Sequence, residues 1–271
     1  MMKKVLAIIL AAGLALGAAG CGSNKSTGAE GGKEDKTIVI GVSPVPHKAI
    51  VEAAVPILEK EGYKVKIEEF TDYVLPNTAL ADKDLDANFF QHVPFLNKTV
   101  SEKGLKLTYT VKVHLEPLGF YSQKIKNFDD IKSGAEIAIP NDPTNGARAL
   151  RLLESKGLIK LKEGELVSKM DITENPKNIK ITELDAPQLP RVLGDVEGAV
   201  INTNFALEAG MDPIKDALIM EEKDSPYANV VAVREENKDS EKIKALSKAL
   251  NSPEVKEFIE ENYKGSILPS F

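Results

Sequence analysis

Aromatic, histidine and amide side chains are concentrated in one stretch of this sequence, residues 70–96. The stretch reads FTDYVLPNTALADKDLDANFFQHVPFL and places Tyr73, Phe90 and His92 where a predicted strand end meets a helix start. Such a mixture of apolar rings and short polar groups is typical of the wall of a small-molecule pocket. Paired aromatics beside a helix start also occur in hydrophobic cores, so the stretch alone leaves a core role open.

A second segment, residues 139–150, could bind an anion. It reads IPNDPTNGARAL, which predicts a strand, an Asn-Asp-Pro turn and a helix capped by Thr144 or Asn145. Free backbone N–H groups at a helix start attract anions, and Arg148 in the predicted first turn could add a guanidinium fork. The same segment is also compatible with an ordinary turn followed by a solvated arginine.

Asparagines supply the remaining polar candidates. The sequence NTNF at residues 202–205 follows a predicted strand, where an asparagine can also serve as a helix cap. Asn229 interrupts the apolar run 227–233, and an amide buried in a strand must find hydrogen-bonding partners. Asn229 is therefore harder to explain as a core residue.

The N-terminal segment predicts export and lipidation. A short basic start precedes a roughly fifteen-residue apolar run, residues 5–19, and small residues follow, as in a secretory signal peptide. The run is shorter than the ~20 apolar residues of a membrane span. The sequence AAGC at residues 18–21 resembles a bacterial lipobox, which predicts removal of residues 1–20 and acylation of Cys21. Residues 21–36 then read as a flexible polar tether.

Composition narrows the function classes. The single cysteine excludes an intrachain disulfide, and the net charge of −6 with no basic cluster argues against nucleic-acid binding. His47, His92 and His114 are the only histidines and lack metalloprotease spacing, and P-loop, dinucleotide and hydrolase motifs are absent. We therefore expect no catalysis, no cofactor and no bound metal, with a zinc site built from the three histidines as an alternative.

Strand-like and helix-like segments alternate along the rest of the chain. Strand patterns occur at residues 37–42, 64–70, near 87, 106–122, 135–140, 179–184, 198–201, 217–220 and 227–233. Helix patterns occur at residues 48–61, 76–81, 92–103, 144–156, 189–193, 241–250 and 253–262. Pro56 predicts a kink or a break in the first of these helices. The strand-helix-strand order predicts parallel sheets with right-handed crossovers.

Two extended crossings, near residues 111–121 and 225–234, predict two α/β lobes joined by a two-strand hinge. No linker rich in proline and glycine separates the halves, which argues for intertwined lobes. We expect residues 37–116 and 228–271 to form the first lobe and residues 117–227 to form the second.

Six blocks of the sequence resemble the methionine-binding lipoprotein family (NlpA-type), the solute-binding components of bacterial methionine ABC importers. They are the stretch 70–96, LGFYS, AIPNDPTNGARAL, NIKITELDAPQLPR, VINTNFALEAG and SPYANVVAVR. The blocks span nearly all of the mature chain in the family's order. The resemblance implies a bilobed fold of the type II periplasmic-binding-protein kind, and an extracytoplasmic monomer anchored to the cell membrane through acylated Cys21. It also implies a membrane permease and an ATPase subunit as partners.

The resemblance further implies roles for six side chains. The side chain of a bound amino acid, L-methionine or a relative, would lie against Tyr73, Phe90 and His92. Its charged ends would be held by Arg148, Asn204 and Asn229. Asn202 is an alternative to Asn204, because a register slip of two residues exchanges them. Phe95 stands where the family often has tyrosine.

Other functions stay open at this point. The ligand could be a methionine-containing dipeptide or another small amino acid, because relatives with the same blocks accept different solutes. A structural or adhesive surface lipoprotein, or a metal-binding protein, is the alternative from another class. Ligand-dependent closure of the lobes separates the binding function from the adhesive one.

Overall fold

The computed structural model describes residues 36–222 and 225–271. The predicted leader, the predicted acylation site Cys21 and all of the predicted tether except Lys36 lie outside these residues. In the described part of the chain, no helix combines the length and the apolar character needed to cross a bilayer.

The strands of the described chain fall into two large sheets and one short hairpin. In chain order they are β1 Thr37–Val42, β2 Lys64–Glu69, β3 Ala87–His92, β4 Leu107–Leu115, β5 Gly119–Tyr121, β6 Glu136–Pro140, β7 Lys160–Leu161, β8 Ile172–Glu174, β9 Lys180–Leu184, β10 Gly198–Ile201, β11 Ala217–Met220, β12 Ala228–Arg234 and β13 Leu268–Pro269. The hairpin pairs β7 with β8.

Helices cover the two large sheets. The α-helices are α1 Ala49–Lys60, α2 Leu75–Ala81, α3 Val93–Lys103, α4 Pro143–Ser155, α5 Thr203–Glu208, α6 Pro213–Asp216, α7 Glu241–Leu250 and α8 Pro253–Tyr263. A π-helical turn spans Pro44–Lys48, and 3₁₀ turns span Phe128–Asp130, Lys169–Asp171 and Ala186–Val192.

The first sheet has six strands in the order β13-β4-β12-β3-β1-β2. β1 runs parallel to β2 and β3, and β12 runs antiparallel between β3 and β4. β1 is a continuous apolar run because a parallel strand inside a sheet is covered on both faces. The hydrophobic core beside this first sheet includes Ile40, Phe89 and Val231 from the strands and Leu246 and Ile259 from the helices.

The second sheet has five strands in the order β11-β5-β10-β6-β9. β6 runs parallel to β9 and β10, and β5 runs antiparallel to β10 and β11. Its core includes Phe120, Ile137, Leu150 and Val200. Gly198 begins β10 directly against the ring of Phe120, where an added Cβ would lie 2.2 Å from a ring carbon.

The chain passes between the two sheets twice. β4 leads into β5 through residues 116–118, and β11 leads back to β12 by a second crossing, of which residues 221–222 and 225–227 are described. These crossings are the two-strand hinge expected from the sequence, and the bilobed α/β fold is confirmed.

Three local predictions differ from the structure. The break predicted at Pro56 is absent, whereas the kink predicted as its alternative stays a prediction. α1 continues through Pro56 because its buried face, which includes Ile50 and Leu58, packs on the first sheet and offsets the lost hydrogen bond. The helix predicted at residues 189–193 is a 3₁₀ turn, Ala186–Val192. The single extended run predicted at residues 106–122 is two strands, separated at Glu116.

Candidate ligand-binding site between the two sheets

A cavity of about 340 Å³ lies where strand ends of both sheets meet. β3 and β10 direct their carboxyl ends to this point, which is where α/β proteins usually bind small molecules. The lining residues are Tyr73, Phe90, Gln91, His92, Phe95, Glu116, Asn145, Arg148, Asn202, Thr203, Asn204 and Asn229. All six side chains predicted from the sequence are among them, together with both members of the Asn202/Asn204 alternative.

One side of the cavity is aromatic. The Tyr73 ring centroid lies 5.8 Å from that of Phe90, 5.7 Å from that of Phe95 and 5.0 Å from that of Phe205. The Tyr73 hydroxyl donates to Asn204 Oδ1 at 2.5 Å, so this wall joins the first lobe to the second. Burial raises the pKa of Tyr73 well above its usual range, which keeps the hydroxyl a neutral donor.

Three buried amides hold the aromatic wall in place. Asn77 Nδ2 donates to Gln91 Oε1 at 2.8 Å, and Asn77 Oδ1 accepts from Gln91 Nε2 at 2.6 Å and from Asn88 Nδ2 at 2.9 Å. These hydrogen bonds connect α2 to β3. They therefore position Tyr73, which lies just before α2, against Phe90. Fully satisfied buried amides specify one packing arrangement. These three amides were not predicted from the sequence.

His92 joins the two lobes at the end of β3. It caps α3, because its Nδ1 accepts the N–H of Phe95 at 3.1 Å. Nε2 therefore carries the ring proton and donates to Asn145 Oδ1 at 3.0 Å. Burial, together with the positive charge of Arg148, lowers the pKa of His92 to about 3. The ring is neutral at physiological pH.

The start of α4 differs from the sequence prediction. Asp142 is the cap, and its Oδ1 accepts the N–H groups of Thr144 at 3.2 Å and Asn145 at 2.9 Å. The predicted caps Thr144 and Asn145 are inside the helix. A carboxylate already binds the free donors of the first turn, so the anion site predicted there is wrong. Arg148 consequently lies in the second turn.

Asn145 instead connects several polar residues around the cavity. Its Nδ2 donates to Asp142 Oδ2 at 2.9 Å, and its Oδ1 accepts from His92 Nε2 and from Asn202 Nδ2, both at 3.0 Å. From the sequence, Asn145 was predicted only as a possible helix cap. Its role depends on contacts with residues more than fifty positions away in the chain, which no local pattern encodes.

The guanidinium of Arg148 is buried beside the cavity and held by three hydrogen bonds. Nε donates to Glu221 Oε1 at 2.9 Å, and Nη2 donates to Glu221 Oε2 and to the backbone carbonyl of Glu116. The guanidinium also lies 4.2 Å from the ring centroid of Tyr227. These bonds use Nε and Nη2, so the two N–H groups of Nη1 stand outside this network. Glu221, in the second crossing, was not foreseen from the sequence.

Both asparagines of the predicted Asn202/Asn204 alternative face the cavity. Asn202 Nδ2 donates to Asn145, whereas Asn202 Oδ1 has no partner among the described residues. Asn204 Oδ1 accepts from Tyr73, whereas Asn204 Nδ2 has no partner among them. The two residues are 6% and 2% exposed. The cavity therefore offers one unmet acceptor, Asn202 Oδ1, and one unmet donor, Asn204 Nδ2. Leaving a buried polar atom without a hydrogen bond costs about 1–3 kcal/mol, so a ligand that bonds to these atoms would be favoured.

Behind Asn229 lies a buried cluster of His47, His114 and Glu116. His47 Nε2 lies 3.1 Å from Asn229 Oδ1 and 3.3 Å from Glu116 Oε1, and His114 Nε2 lies 2.7 Å from the same Glu116 oxygen. Burial lowers the pKa of His47 to about 4 and that of His114 to about 3, and raises that of Glu116.

Within the described residues, this cluster is the one group of three donors with the spacing of a metal site, since their ligand atoms lie within 4.8 Å of one another. The 2.7 Å contact between His114 Nε2 and Glu116 Oε1 is a hydrogen bond, so two of the three donor groups are also paired with each other. Of the three histidines, only His92 lines the cavity.

The chain is similar to bacterial lipoproteins and solute-binding proteins. The model of the NlpA lipoprotein family matches residues 38–271. The D-methionine-binding lipoprotein MetQ of Salmonella typhi is 45% identical over 255 residues, which cover 92% of each chain. Outer membrane lipoprotein 2 of Mannheimia haemolytica is 44% identical over 93% of each chain. A nutrient binding protein from Burkholderia cenocepacia, solved bound to methionine, is 49% identical with a TM-score of 0.84, covering 86% of this chain and 100% of that one.

Proposed function

The chain belongs to the NlpA lipoprotein family, and on that premise we propose that it captures methionine between its two lobes and delivers it to an ABC importer. The observation that carries the proposal is the composition of the cavity. Aromatic rings line one side, and a buried guanidinium with two unmet amide atoms lies on the other. This arrangement matches a solute with an apolar side chain and two charged ends.

The aromatic wall is the proposed site of the thioether side chain. Tyr73, Phe90 and Phe95 form one set of mutually packed rings, and His92 adds a neutral ring edge. A sulfur beside an aromatic ring gains about 0.3–1.5 kcal/mol per contact. One methylene in an apolar pocket contributes about 1–3 kcal/mol, so leucine-like competitors would bind more weakly without being rejected.

The polar side of the cavity is the proposed site of the zwitterion. Arg148, through Nη1, and Asn204, through its unmet Nδ2, are placed to donate to a carboxylate. Asn202 Oδ1 and Asn229 Oδ1 are acceptors for an ammonium. This assignment gives a role to both asparagines of the 202/204 pair.

Closure of the lobes is the proposed transport signal. Hydrogen bonds already cross between them, from Tyr73 to Asn204 and from His92 to Asn145. A ligand that contacts both sides favours the closed form by its difference in affinity for the two forms. We assign residues 37–116 and 228–271 to the first lobe and residues 117–227 to the second, in agreement with the strands of each sheet. A membrane permease would recognise the closed form, and its ATPase subunit would drive import.

Anchoring completes the proposed function. Acylation of Cys21 would anchor the protein, as a monomer, to the cell membrane outside the cytoplasm. More than one acyl chain is needed, since a single chain gives only marginal binding. Residues 22–36 would then let the lobes reach the permease.

A thermal-shift panel tests the ligand assignment. The soluble form beginning at Ser23 is unfolded and refolded to remove copurified solute, then heated with L-methionine, D-methionine, leucine and methionine-containing dipeptides. A ligand at about 100 times its dissociation constant adds roughly 2.7 kcal/mol, or on the order of 5–10 °C for a protein of this size. We expect methionine to give the largest shift. A shift led by a dipeptide would assign the protein to peptide uptake, and no shift with any ligand would favour a structural surface lipoprotein.

A further inference from the structure

Glu221 joins the two crossings between the lobes, although it lies outside the lining of the ligand cavity. It follows β11 directly and begins the second crossing. Its backbone N–H donates to the carbonyl of Leu118 at 2.8 Å, and its Oε2 accepts the backbone N–H of Leu118 at 3.3 Å. Leu118 ends the first crossing, so the backbone and the carboxylate of Glu221 both bind the opposite crossing.

The same carboxylate holds the guanidinium of Arg148. Oε1 accepts Nε at 2.9 Å and Oε2 accepts Nη2, and Nη2 also donates to the backbone carbonyl of Glu116 in the first crossing. These three bonds and the two bonds to Leu118 form one network that joins α4 to both crossings. Nη1 of Arg148 is not used in this network. The group proposed to bind the ligand carboxylate is therefore fastened to the hinge.

The ion pair between Arg148 and Glu221 is largely withdrawn from water. Their side chains are 3% and 16% exposed, and Glu221 is the one carboxylate that pairs with Arg148 among the described residues. Glu116 lines the cavity but directs its carboxylate to His47 and His114 instead. A buried ion pair contributes little net stability compared with apolar packing, because both charges lose their hydration. Its bidentate hydrogen bonds do fix the relative position of the two groups.

We propose that Glu221 is a positioning residue that holds the guanidinium of Arg148 toward the ligand carboxylate and, through Leu118, links that contact to lobe closure. The inference rests on the proposed function and deepens it, because it names the residue through which a bound carboxylate acts on the hinge. A guanidinium held in place loses less conformational entropy on binding, so it binds a carboxylate more tightly than a mobile one.

Glu221→Gln separates the effect of position from the effect of charge. Glutamine keeps one side-chain oxygen that accepts from Arg148, but it places an NH₂ donor where the second carboxylate oxygen was, so the bidentate pair is lost. Removing the negative charge by itself strengthens the attraction between Arg148 and the ligand carboxylate. Weaker binding in the variant therefore reports lost position, whereas tighter binding reports that Glu221 only competes with the ligand for Arg148.

Isothermal titration compares L-methionine with L-methioninamide, which keeps the amine and the thioether and lacks the carboxylate. In Glu221→Gln we expect methionine affinity to fall by about tenfold or more, whereas methioninamide affinity stays within about threefold of wild type. In an Arg148→Ala background the same substitution should cause no further loss of methionine affinity, because there is no guanidinium left to position. A purely structural role would lower the affinity for both ligands and would add to the loss in Arg148→Ala.

A distance measurement tests the link to lobe closure. The soluble form beginning at Ser23 contains no cysteine, so spin labels can be attached at two introduced cysteines, one in each lobe. Ser101→Cys in α3 and Lys156→Cys directly after α4 are exposed positions for them. Double electron–electron resonance measures the distance between the labels. Saturating methionine is expected to shorten this distance in wild type and to shorten it less in Glu221→Gln.

Glu154→Gln is the matched control. Glu154 accepts from a guanidinium, that of Arg151, and from the backbone N–H of Leu161, so the variant loses the same kinds of partner near the end of α4. Glu154 lies outside the cavity lining. The affinity of this variant for both ligands should stay within about threefold of wild type, and its closure should equal that of wild type.

The other outcomes overturn the inference. Unchanged or tighter methionine binding in Glu221→Gln would show that the residue does not position Arg148. Full closure in that variant, or binding without closure in wild type, would contradict the link to the hinge. If Glu221→Gln does not fold, Glu221→Asp, which withdraws the carboxylate by one methylene, must lose methionine affinity selectively. Wild type that binds no methionine would instead refute the proposed function, at the first titration.

Discussion

The guanidinium of Arg148 hydrogen-bonds Glu221 and the backbone carbonyl of Glu116 and lies over the ring of Tyr227. Arg148 is 4% exposed, and these contacts fix the orientation of its side chain at the edge of the cavity. Preorganised donors bind a carboxylate more tightly than mobile ones because less conformational entropy is lost on binding. Arg148 should therefore dominate the affinity for the acidic end of the ligand.

Arg148→Ala is expected to lower methionine affinity by roughly two to three decades. The change leaves a carboxylate in a buried site without its cation, which costs about 3–5 kcal/mol. Isothermal titration measures the effect. Arg151→Ala is the control on the same helix, since Arg151 bonds Glu154 and the carbonyls of Lys162 and Gly164, away from the cavity. Wild-type affinity in Arg148→Ala would rule out this role.

Side chains at the site differ in how far the sequence predicts them. Tyr73, Phe90 and Arg148 belong to long blocks with recognisable composition, so their identity as candidates needed no structure. Glu116, Asn145 and Glu221 act through partners brought together by the two crossings. Their roles depend on contacts between distant segments, and a single sequence carries no signal for those contacts.

At the scale of elements, the start of α4 determines where Arg148 and Asn145 lie. The Asp142 carboxylate accepts two backbone N–H groups and the side-chain amide of Asn145. An aspartate at a helix N-terminus also interacts favourably with the helix dipole. The Asp142 cap therefore has two roles: it stabilises α4, and it orients Asn145, which lines the cavity.

Asp142→Ala is expected to destabilise the protein by about 1 kcal/mol and also to weaken methionine binding, because Asn145 loses its partner. Ser252→Ala removes a comparable cap, on α8, where Ser252 Oγ accepts the N–H of Val255 at 3.3 Å away from the cavity. We expect Ser252→Ala to lower the stability by a similar amount and to leave methionine affinity unchanged. Chemical denaturation measures the stability of each variant, and isothermal titration measures its affinity for methionine. Equal methionine affinity in the two variants would contradict the role of Asn145 in binding.

The elements themselves follow the sequence closely, and the exceptions have physical causes. β10, β11 and α7 have the predicted bounds, since apolar periodicity and flanking turn residues are local signals. The α4 cap was misplaced by two or three residues because Asp-Pro-Thr-Asn contains three competent caps. The hairpin of β7 and β8 was missed because its strands have two and three residues, too short for any periodicity.

For the whole molecule, the buried histidines link stability to pH. His47, His92 and His114 are 1%, 5% and 0% exposed, and burial lowers their pKa values to about 4, about 3 and about 3. In the unfolded chain these groups titrate near pH 6.5. Two of them contact Glu116 and the third joins the lobes, so protonation would affect the region where the lobes meet.

Stability is expected to be fully present above about pH 6.5 and to decline as the pH falls toward about 4. In that window the unfolded chain binds protons that the folded chain excludes, so unfolding gains about 1.4 kcal/mol per pH unit for each histidine. Glu116 acts in the opposite sense, because its raised pKa lets the folded form take up a proton first and offsets part of the loss.

Denaturant unfolding at pH 7.5 and pH 5.0 measures this decline, and His114→Gln tests its origin. Glutamine retains an N–H donor for Glu116 but does not titrate, so the variant should lose stability less steeply by about one proton's contribution. The stability of His114→Gln at pH 7.5 is the reference for its loss of stability at pH 5.0. A packing defect lowers the stability at both pH values, whereas the missing titration changes only the difference between them. A slope equal to that of wild type would show that His114 is not among the groups that exclude protons, and flat wild-type stability would contradict the coupling of all three.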